Sequence, residues 1–345
     1  MRVFVTGGSG FIGTTLVEML CRRGITVRNY DMAPPQEPSQ RPMWRRGDIL
    51  EPEELAAAVQ EFDATHVVHL AARADLDESG TVEDYPENVA GVSSMLSAVQ
   101  SSPTVERLII TSTQMVCQPG YWPKHDEDYS PNTVYGESKI VTERLTRAFE
   151  LRCPWTIIRP TNIWGPRHPR HSGQFFGLLK RGLYWHPSGR SARRCWGYVG
   201  NVAYQILRIL ELPVEKIDRQ TLYVGDAAFD LVDWVNGVSL RLTGRPAKKA
   251  PRSFLYSIAL AGEAMERMGM KAPLSMLRYK AMTEDYLTPI ERTIQLTGPA
   301  PYSMDAAIDQ TLNWLASRNE KEASSRGERI SPPPQRTTEE LATIN

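Results

Sequence analysis

The sequence has no excess of either charge, since 40 Lys and Arg residues are balanced by 40 Asp and Glu residues and the pI is about 7.0. A surface that binds a polyanion is typically rich in Lys and Arg, so the composition argues against nucleic-acid binding. The sequence also contains no apolar run of about 18 residues, the length that a membrane-spanning helix requires. We therefore expect no membrane span.

Cysteine is scarce as well: the 345 residues include only Cys21, Cys117, Cys153 and Cys195, and no C-x-x-C pair. Thiols this far apart predict neither a disulfide framework nor a zinc site. The N-terminal segment MRVFVTGG lacks the basic stretch, apolar core and cleavage site of a signal peptide. These features together predict a cytoplasmic globular protein without a metal site.

Short apolar runs alternate regularly with helical stretches along the first half of the chain. The runs predict buried strands at Val3–Thr6, Thr26–Tyr30, His66–Leu70, Arg107–Thr111 and Thr156–Arg159. The spacing of apolar residues predicts helices at Phe11–Arg23, Pro52–Glu61, Asn88–Gln100 and Ser138–Arg152. Such alternation is typical of an α/β protein with a doubly wound parallel sheet that is covered by helices on both faces.

The pattern changes after residue 162, where Pro, Gly, Arg and aromatic residues become more frequent. We expect a nucleotide-binding domain over 1–162, to which 195–224 returns, and a smaller cap built from 163–194 and 225–316. Residues 319–345 have few apolar side chains and contain a Pro-Pro-Pro run, which predicts a disordered tail.

A glycine-rich loop, TGGSGFIG at 6–13, follows the first predicted strand and opens the first helix. Gly7, Gly10 and Gly13 suit a tight turn, a close backbone approach to a pyrophosphate and close packing of helix on strand. Asp31 ends the second strand, where a carboxylate accepts hydrogen bonds from ribose hydroxyls and repels a 2′-phosphate. The loop therefore predicts NAD rather than NADP, against the alternative of a plain turn beside a surface aspartate.

A Tyr-x-x-x-Lys pair, Tyr135 and Lys139, lies four residues apart at the start of a predicted helix. The two side chains share one helical face, and the ammonium is expected to lower the pKa of the phenol toward the range of an acid/base catalyst. A preceding strand ends in Thr111-Ser112-Thr113, whose hydroxyls can bond the substrate oxygen. The alternative, an ordinary surface pair, does not account for these neighbours.

These motifs resemble the extended short-chain dehydrogenases/reductases, and within them the NAD-dependent epimerase/dehydratase family that acts on nucleotide sugars. The resemblance runs from Met1 to about Trp314 and implies a Rossmann-type fold. The matching residues are TGGSGFIG, Asp31, Gly47-Asp48-Ile49, His69-Leu70-Ala71-Ala72, Asn88, Thr111-Ser112-Thr113, Tyr135-Gly-Glu-Ser-Lys139 and Arg159-Pro-Thr-Asn-Ile-Trp-Gly-Pro166.

The resemblance implies a role for each matching residue. Thr113, Tyr135 and Lys139 would be catalytic, and Lys139 would also bind the nicotinamide ribose. The NAD-binding residues would be Gly7, Gly10, Phe11, Ile12, Gly13, Asp31, Asp48, Ile49, Leu70, Ala71, Ala72, Asn88, Tyr135 and Lys139. Three residues would contact the substrate. Asn162 would contact the diphosphate of the sugar nucleotide, and Thr113 would contact the sugar. Arg194, in a stretch similar to the family's arginine motif, would bind the pyrophosphate. A solvated basic surface pair is the alternative for Arg193 and Arg194.

Three departures from the family pattern narrow the chemistry. Gln114 and Met115 stand where sugar 4,6-dehydratases carry Asp-Glu, and neither moves a proton, so dehydration is not expected. Cys117-Gln118 replaces the family's usual Tyr-Gly beside the substrate. Gly200 replaces an aspartate of the arginine motif.

The C-terminal segment is similar to the steroid dehydrogenase branch of the same superfamily. Leu255, Ile258, Leu260 and Met265, on a helix predicted at Phe254–Gly269, could line an apolar pocket, although ordinary cap core is the simpler interpretation. Basic residues also cluster in one region, where a loop facing a diphosphate and a plain surface are equally good interpretations. They are Arg167, His168, Arg170, His171, His186 and Arg190.

Taken together, these features predict an NAD-dependent nucleotide-sugar epimerase, most simply one that inverts C4 through a transient 4-keto sugar. The alternative is a net oxidoreductase, either a 4-keto-sugar reductase or a hydroxysteroid-type dehydrogenase. A redox-sensing or scaffold protein is a third class, which the Thr-Tyr-Lys set disfavours. The expected partners are a nucleotide-diphosphate sugar and a second copy of the chain, because relatives commonly form homodimers through helices equivalent to Asn88–Gln100 and Ser138–Arg152.

Overall fold

The computed structural model describes residues 1–75, 80–168, 174–272 and 274–325. Its central sheet has seven parallel strands, which are, from one edge to the other, β11 (Gln220–Val224), β6 (Trp155–Pro160), β5 (Arg107–Thr111), β4 (His66–His69), β1 (Arg2–Thr6), β2 (Thr26–Asp31) and β3 (Trp44–Arg46). The predicted doubly wound parallel sheet is thus confirmed. The strand order reverses between β1 and β4, so a crevice opens there at the carboxyl ends of the strands.

Helices cover both faces of this sheet. They are α1 (Phe11–Arg22), α2 (Pro52–Phe62), α3 (Pro86–Ser101), α4 (Val134–Ala148) and α6 (Val199–Glu211). Because successive side chains of a strand point to opposite faces, Val3 and Val5 pack with α1 and α6, whereas Phe4 packs with α2 and α3. The two resulting hydrophobic cores hold the carboxyl ends of the strands in place.

Helix α4 does not have the predicted bounds of Ser138–Arg152. It begins earlier because Thr133 caps it, with Oγ1 accepting a hydrogen bond from the Gly136 N–H at 3.0 Å. It ends at Ala148, since Phe149 is extended. This correction places Tyr135 in the first turn of the helix.

The remaining elements form small sheets and helices beside the central sheet. The strands are β7 (Ile163–Trp164), β8 (Trp185–Pro187), β9 (Arg193–Arg194), β10 (Gly197–Tyr198), β12 (Phe229–Asp230) and β13 (Lys248–Ala250). The helices are α5 (Gln174–Lys180), α7 (Val214–Ile217), α8 (Leu231–Thr243), α9 (Arg252–Arg267), α10 (Met276–Thr283), α11 (Glu291–Thr297) and α12 (Met304–Ser325). An aromatic core around Trp164 and Trp234, whose rings lie 5.5 Å apart, joins several of them.

Helix α12 and the membrane-span prediction are considered with the structure in turn. Helix α12 continues to Ser325, into the segment predicted as a disordered tail, and residues 326–345 of that segment lie outside the described residues. No helix in the described part of the chain is long and apolar enough to cross a membrane.

Candidate active site

The glycine loop lies at the carboxyl end of β1 and leads into α1. Gly7 has a φ of +69°, and a Cβ on it would lie 2.6 Å from the backbone nitrogen of Ala71 at the end of β4. A Cβ on Gly13 would overlap the carbonyl oxygen of Gly7. Gly10 is the N-cap of α1 and has no side chain to bond the first-turn N–H groups, which remain available to an anion.

Asp31 at the end of β2 is held against this loop. One carboxylate oxygen accepts the Ser9 N–H at 3.0 Å, and the other accepts the Ala33 N–H at 2.9 Å. Each carboxylate oxygen has two lone pairs, so acceptor capacity remains for the hydroxyls of a ribose. The geometry fits the predicted role of Asp31.

A cavity of about 440 Å³ lies beside the amino end of α1. It is lined by Phe11, Ile12, Leu70, Ala72, Ala74, Thr111, Ser112, Thr113, Tyr135, Lys139, Pro160, Thr161, Asn162, Ile163 and His168. The structure thus brings the predicted catalytic triad together with the first turn of α1 and with Asn162. Asp48, Ile49, Ala71, Asn88 and Arg194 are not among the lining residues, and their predicted contacts with ligands stay predictions.

Tyr135 and Thr113 meet in this cavity. Thr113 follows β5 and is 7% exposed, and its hydroxyl lies near the Tyr135 phenol and favours the phenolate. Burial nevertheless raises the pKa of Tyr135 to about 12, and the nearby Thr113 hydroxyl only partly offsets this. The prediction that Lys139 lowers the pKa of Tyr135 is wrong for this structure, because the loss of water around the phenolate dominates.

Lys139 lies one helical turn after Tyr135 and is 1% exposed. Burial lowers its pKa to about 8, although the nearby Glu143 carboxylate acts in the opposite direction. Its ammonium lines the cavity and donates no hydrogen bond to the described residues. A buried ammonium is costly without acceptors, so this site calls for a ligand with hydroxyl or phosphate oxygens. Together with the glycine cradle and Asp31, it fits NAD.

Asn88 on α3 is fully buried, and its side chain is hydrogen-bonded within the protein. Its side-chain oxygen accepts the Arg73 N–H at 3.0 Å, and its amide group donates to the Arg73 carbonyl at 3.0 Å and to the Ser138 hydroxyl at 2.9 Å. The side chain therefore ties the loop after β4 to α4. In this structure it supports the wall of the cavity.

A buried ion pair below the catalytic residues was missed by sequence analysis. Glu143 on α4 and Arg159 on β6 have fully buried side chains, 2.7 Å apart. Glu143 also accepts hydrogen bonds from Ser112 at 2.6 Å and from Tyr129 at 2.9 Å. The signal for it was present, because Arg159 is the one charged residue in the apolar strand WTIIRP and Glu143 follows Lys139 at i+4.

Arg194 does not join Asn162 in the cavity. Its guanidinium donates to the carbonyl oxygen of Ala281 in α10, it is 4% exposed, and burial lowers its pKa. The alternative of a solvated pair is therefore wrong for Arg194, although Arg193 is exposed. Contacts from distant segments, which the motif does not encode, determine this position.

The cluster of basic residues is similarly divided. Arg167 pairs with Glu37 at 2.6 Å, Arg190 pairs with Asp285, and His186 is buried. His168 lines the cavity, with its ring edge-on to Phe11 at 4.8 Å between centroids. Arg170 and His171 lie outside the described residues.

Tyr286 is hydrogen-bonded to the loop that follows Thr113 after β5. Its hydroxyl donates to the Cys117 carbonyl at 2.7 Å and lies 3.4 Å from the Gln114 carbonyl. Neither Gln114 nor Met115 lines the cavity. The apolar residues considered for a pocket are also absent from its lining: Leu255 is buried elsewhere and Leu260 is exposed.

Comparison with known proteins agrees with this geometry. A model of the NAD-dependent epimerase/dehydratase family matches residues 3–225. A 3β-hydroxysteroid dehydrogenase/Δ5→4-isomerase of Mycobacterium tuberculosis is 33% identical over 248 residues, a match that covers 66% of this chain and 65% of that relative's length. An N-acetyl-α-D-glucosaminyl-diphospho-ditrans,octacis-undecaprenol 4-epimerase of Escherichia coli O157:H7 is 27% identical over 334 residues, covering 91% of this chain and 95% of the relative.

Solved structures share the fold. A UDP-glucose 4-epimerase of Stenotrophomonas maltophila, in complex with NAD and formylated UDP-arabinopyranose, superposes with a TM-score of 0.72 at 19% identity and covers 93% of this chain and 99% of that one. A UDP-glucose 4-epimerase of Thermus thermophilus in complex with NAD gives a TM-score of 0.66 at 23% identity and covers 92% and 99%. At these identities the similarity establishes the fold.

Proposed function

Because the chain belongs to the NAD-dependent epimerase/dehydratase family, we propose that it inverts C4 of a sugar carried on a diphosphate. Family membership makes it an NAD-dependent enzyme of the extended short-chain dehydrogenase/reductase type, with NAD as its cofactor. The position of inversion and the identity of the substrate are the proposed parts.

The chain offers groups for each part of the cofactor. Asp31 would hold the adenosine ribose, the first turn of α1 the pyrophosphate, and Lys139 the nicotinamide ribose. When bound, NAD⁺ accepts a hydride from the sugar carbon and returns it. The two neighbours of the glycine loop, Ala71 and Ala72, are small enough to leave room beside it.

Tyr135 carries the proton chemistry. As the phenolate it would take the proton of the C4 hydroxyl during oxidation, and as the phenol it would return that proton during reduction, while the nearby Thr113 hydroxyl stabilises the phenolate. Lys139 supplies a positive charge on the same helical face. Inversion requires the keto sugar to turn over between the two half-reactions, so its diphosphate must be held outside the catalytic triad; we propose Asn162 for this contact.

The composition of the cavity wall favours a sugar. Six lining residues, Thr111, Ser112, Thr113, Tyr135, Thr161 and Asn162, carry hydroxyl or amide groups. A polyhydroxylated substrate can bond such groups, whereas a steroid skeleton would leave them unpaired at a cost of about 1–3 kcal/mol each. This observation carries the proposal.

A hydroxysteroid-type dehydrogenase is the second candidate, and the 33% identity to the mycobacterial enzyme favours it. It would use the same Thr113, Tyr135 and Lys139 but would exchange NAD(H) in every cycle. The relation to the Escherichia coli epimerase, which extends over 91% of this chain, favours the epimerase instead.

The two candidates differ in the fate of the hydride. UDP-N-acetylglucosamine and UDP-glucose labelled with deuterium at C4 serve as probes, without added NAD⁺. An epimerase yields a C4 epimer that retains the deuterium, and freshly purified protein releases near-stoichiometric NAD on denaturation. Consumption of a 3β-hydroxysteroid with formation of free NADH, and no epimer from either sugar, would support the dehydrogenase.

For assembly we propose a homodimer through α3 and α4, by analogy with the family alone. Sedimentation of the purified protein tests it directly.

A further inference from the structure

Helices α9 and α10 form a hairpin at one end of the molecule. Leu255, Ala259 and Gly262 are the buried residues of α9, and Gly262 lies so close to the Leu274 carbonyl that a side chain would not fit. Within the described residues, α10 buries none of its own side chains. The hairpin is thus attached along one narrow face, and its other faces point to solvent.

The solvent-facing side of this hairpin carries several large apolar side chains. Of the twelve large apolar residues that the described part of the chain leaves exposed, six lie between 254 and 277: Phe254 (55%), Tyr256 (47%), Leu260 (54%), Met268 (66%), Met270 (47%) and Leu277 (75%). Residues 254, 257, 261, 264 and 268, at helical spacing, are all exposed and uncharged. A surface helix normally places charged residues there, so the pattern marks an interaction surface.

Basic residues outnumber acidic ones in and around the hairpin, although Glu284 and Asp285 directly follow α10. Residues 248–280 contain seven Lys or Arg residues but only Glu263 and Glu266, in a chain whose total charge is zero. Lys271, Arg278 and Lys280 are exposed and form no ion pair with described residues. A second copy of the chain would bring these like charges together, which disfavours self-association. An anionic surface is the complementary occupant.

We propose that the α9–α10 hairpin docks on an anionic lipid bilayer and lies in its interface without crossing it. Apolar side chains such as Leu260 and Leu277 would enter the boundary between headgroups and acyl chains, and the basic residues would face the headgroups. Trp185, 45% exposed and beside Lys248 at 5.7 Å from its ring, adds an aromatic side chain of the type found at bilayer interfaces.

This docking would place the catalytic site close to the bilayer surface. Tyr286 follows α10 by three residues and bonds the loop that carries Gln114 and Cys117. Arg194 likewise contacts α10 at Ala281. The proposal depends on the exposed face alone and not on which substrate the enzyme uses.

The test is co-sedimentation of the full chain with phosphatidylcholine vesicles that do or do not contain phosphatidylglycerol. The wild type is expected to sediment with the anionic vesicles and to be released by added salt. The double variant Leu260→Glu/Leu277→Glu is expected to lose at least about tenfold in partitioning. The matched control is Leu240→Glu, on α8 and 46% exposed, which should bind like the wild type.

Three results would overturn the proposal: no binding of the wild type to anionic vesicles, equal binding of the hairpin variant and wild type, or loss of a dimer in the hairpin variant without lipid. Circular dichroism verifies that each variant is folded, which is expected because the altered side chains are exposed. Turnover of a water-soluble nucleotide sugar by the hairpin variant stays at the wild-type level, so failure of docking is distinguishable from failure of the proposed reaction.

Discussion

The candidate active site has two halves, one proposed for the cofactor and one proposed for the substrate, and they are constructed in different ways. In the cofactor half, Gly7, Asp31 and Ala71 lie at the ends of three adjacent parallel strands, and the loops that carry them are short. In the substrate half, Arg194 reaches Ala281, and Tyr286 bonds Gln114 across 172 residues of sequence.

The difference shows why a family can keep one reaction and change its substrates. Strand ends of a parallel sheet converge by necessity, so a few local motifs suffice to place the hydride chemistry. The opposite wall depends on long-range packing, in which one substitution moves several segments. If the two halves are separate, a variant in one half should leave the other half unchanged.

Removing the catalytic hydroxyl should stop the reaction and leave both halves intact. Tyr135→Phe is expected to lower kcat by roughly 10²–10⁴-fold, since it removes the acid/base group. NAD content per protomer should stay unchanged, and Tyr121→Phe, outside the cavity, should retain activity. Parallel loss of NAD and turnover would contradict the catalytic assignment of Tyr135.

Breaking the buried ion pair between α4 and β6 should lower the free energy of unfolding of the whole protein. Glu143→Ala leaves the fully buried Arg159 without its counter-charge, which is expected to cost about 3–5 kcal/mol in free energy of unfolding. Urea denaturation measures it, with Glu137→Ala, exposed on the same helix, as the control. A loss no greater than that of the control would show that the ion pair does not hold α4 in place.

A steric change confined to the glycine loop should affect the cofactor half alone. Gly13→Ala forces a Cβ onto the Gly7 carbonyl and is expected to cost about 1–3 kcal/mol in stability and to reduce NAD affinity. Gly177→Ala in α5, where a Cβ would meet only the end of the Arg181 side chain at 3.5 Å, is the matched control. Unchanged NAD binding by Gly13→Ala would contradict the close packing of this loop.

Acid should destabilise both halves through buried histidines. Burial lowers the pKa of His69, near the cofactor loop, to about 3 and that of His186, in the other half, to about 4, from an ordinary value of 6.5. The stability contributed by these neutral histidines is fully present above pH 6.5. It is lost as the pH falls from 6.5 toward the folded-state pKa values, because the unfolded chain binds protons at a higher pH than the folded chain does. Each should lower the free energy of unfolding by about 1 kcal/mol per pH unit.

Separate variants locate this acid sensitivity. His69→Gln and His186→Gln should each reduce the slope of unfolding free energy against pH, measured by urea denaturation. A variant that leaves the slope unchanged would show that its histidine is not held neutral in the folded protein. His66, whose pKa burial lowers to about 4, contributes to the slope in both variants.

Loosening the far wall should have the smallest effect. Tyr286→Phe removes the bond to the Cys117 carbonyl and is expected to cost about 1 kcal/mol in stability, raise KM and spare NAD content. Tyr256→Phe, on the exposed side of α9, is the control. A loss of NAD in Tyr286→Phe would mean that the two halves are coupled.

Local patterns predicted the central sheet and the meeting of Tyr135 with Lys139, because strand ends and helical periodicity are local properties. They did not predict the Glu143–Arg159 pair, since the sequence of β6 does not indicate which residue pairs with Arg159, and that of α4 does not indicate which residue pairs with Glu143. The position of Arg194 was equally inaccessible, because it depends on where α10 packs.

The pKa of Tyr135 shows a further limit. Spacing placed an ammonium one turn away, but the degree of burial, a property of the completed fold, decides the sign of the shift. The bounds of α4 were wrong for a simpler reason, as the cap at Thr133 was overlooked.

The hydrogen bond between Tyr286 and the loop at Gln114 can form only late in the synthesis of the chain. Synthesis of the 172 residues that separate them takes roughly 10–30 s at ribosomal speeds. During that interval β1 with its glycine loop and then helix α4 with Tyr135 leave the ribosome. A nascent chain can thus form its proposed nucleotide site well before the opposite wall of the candidate active site exists.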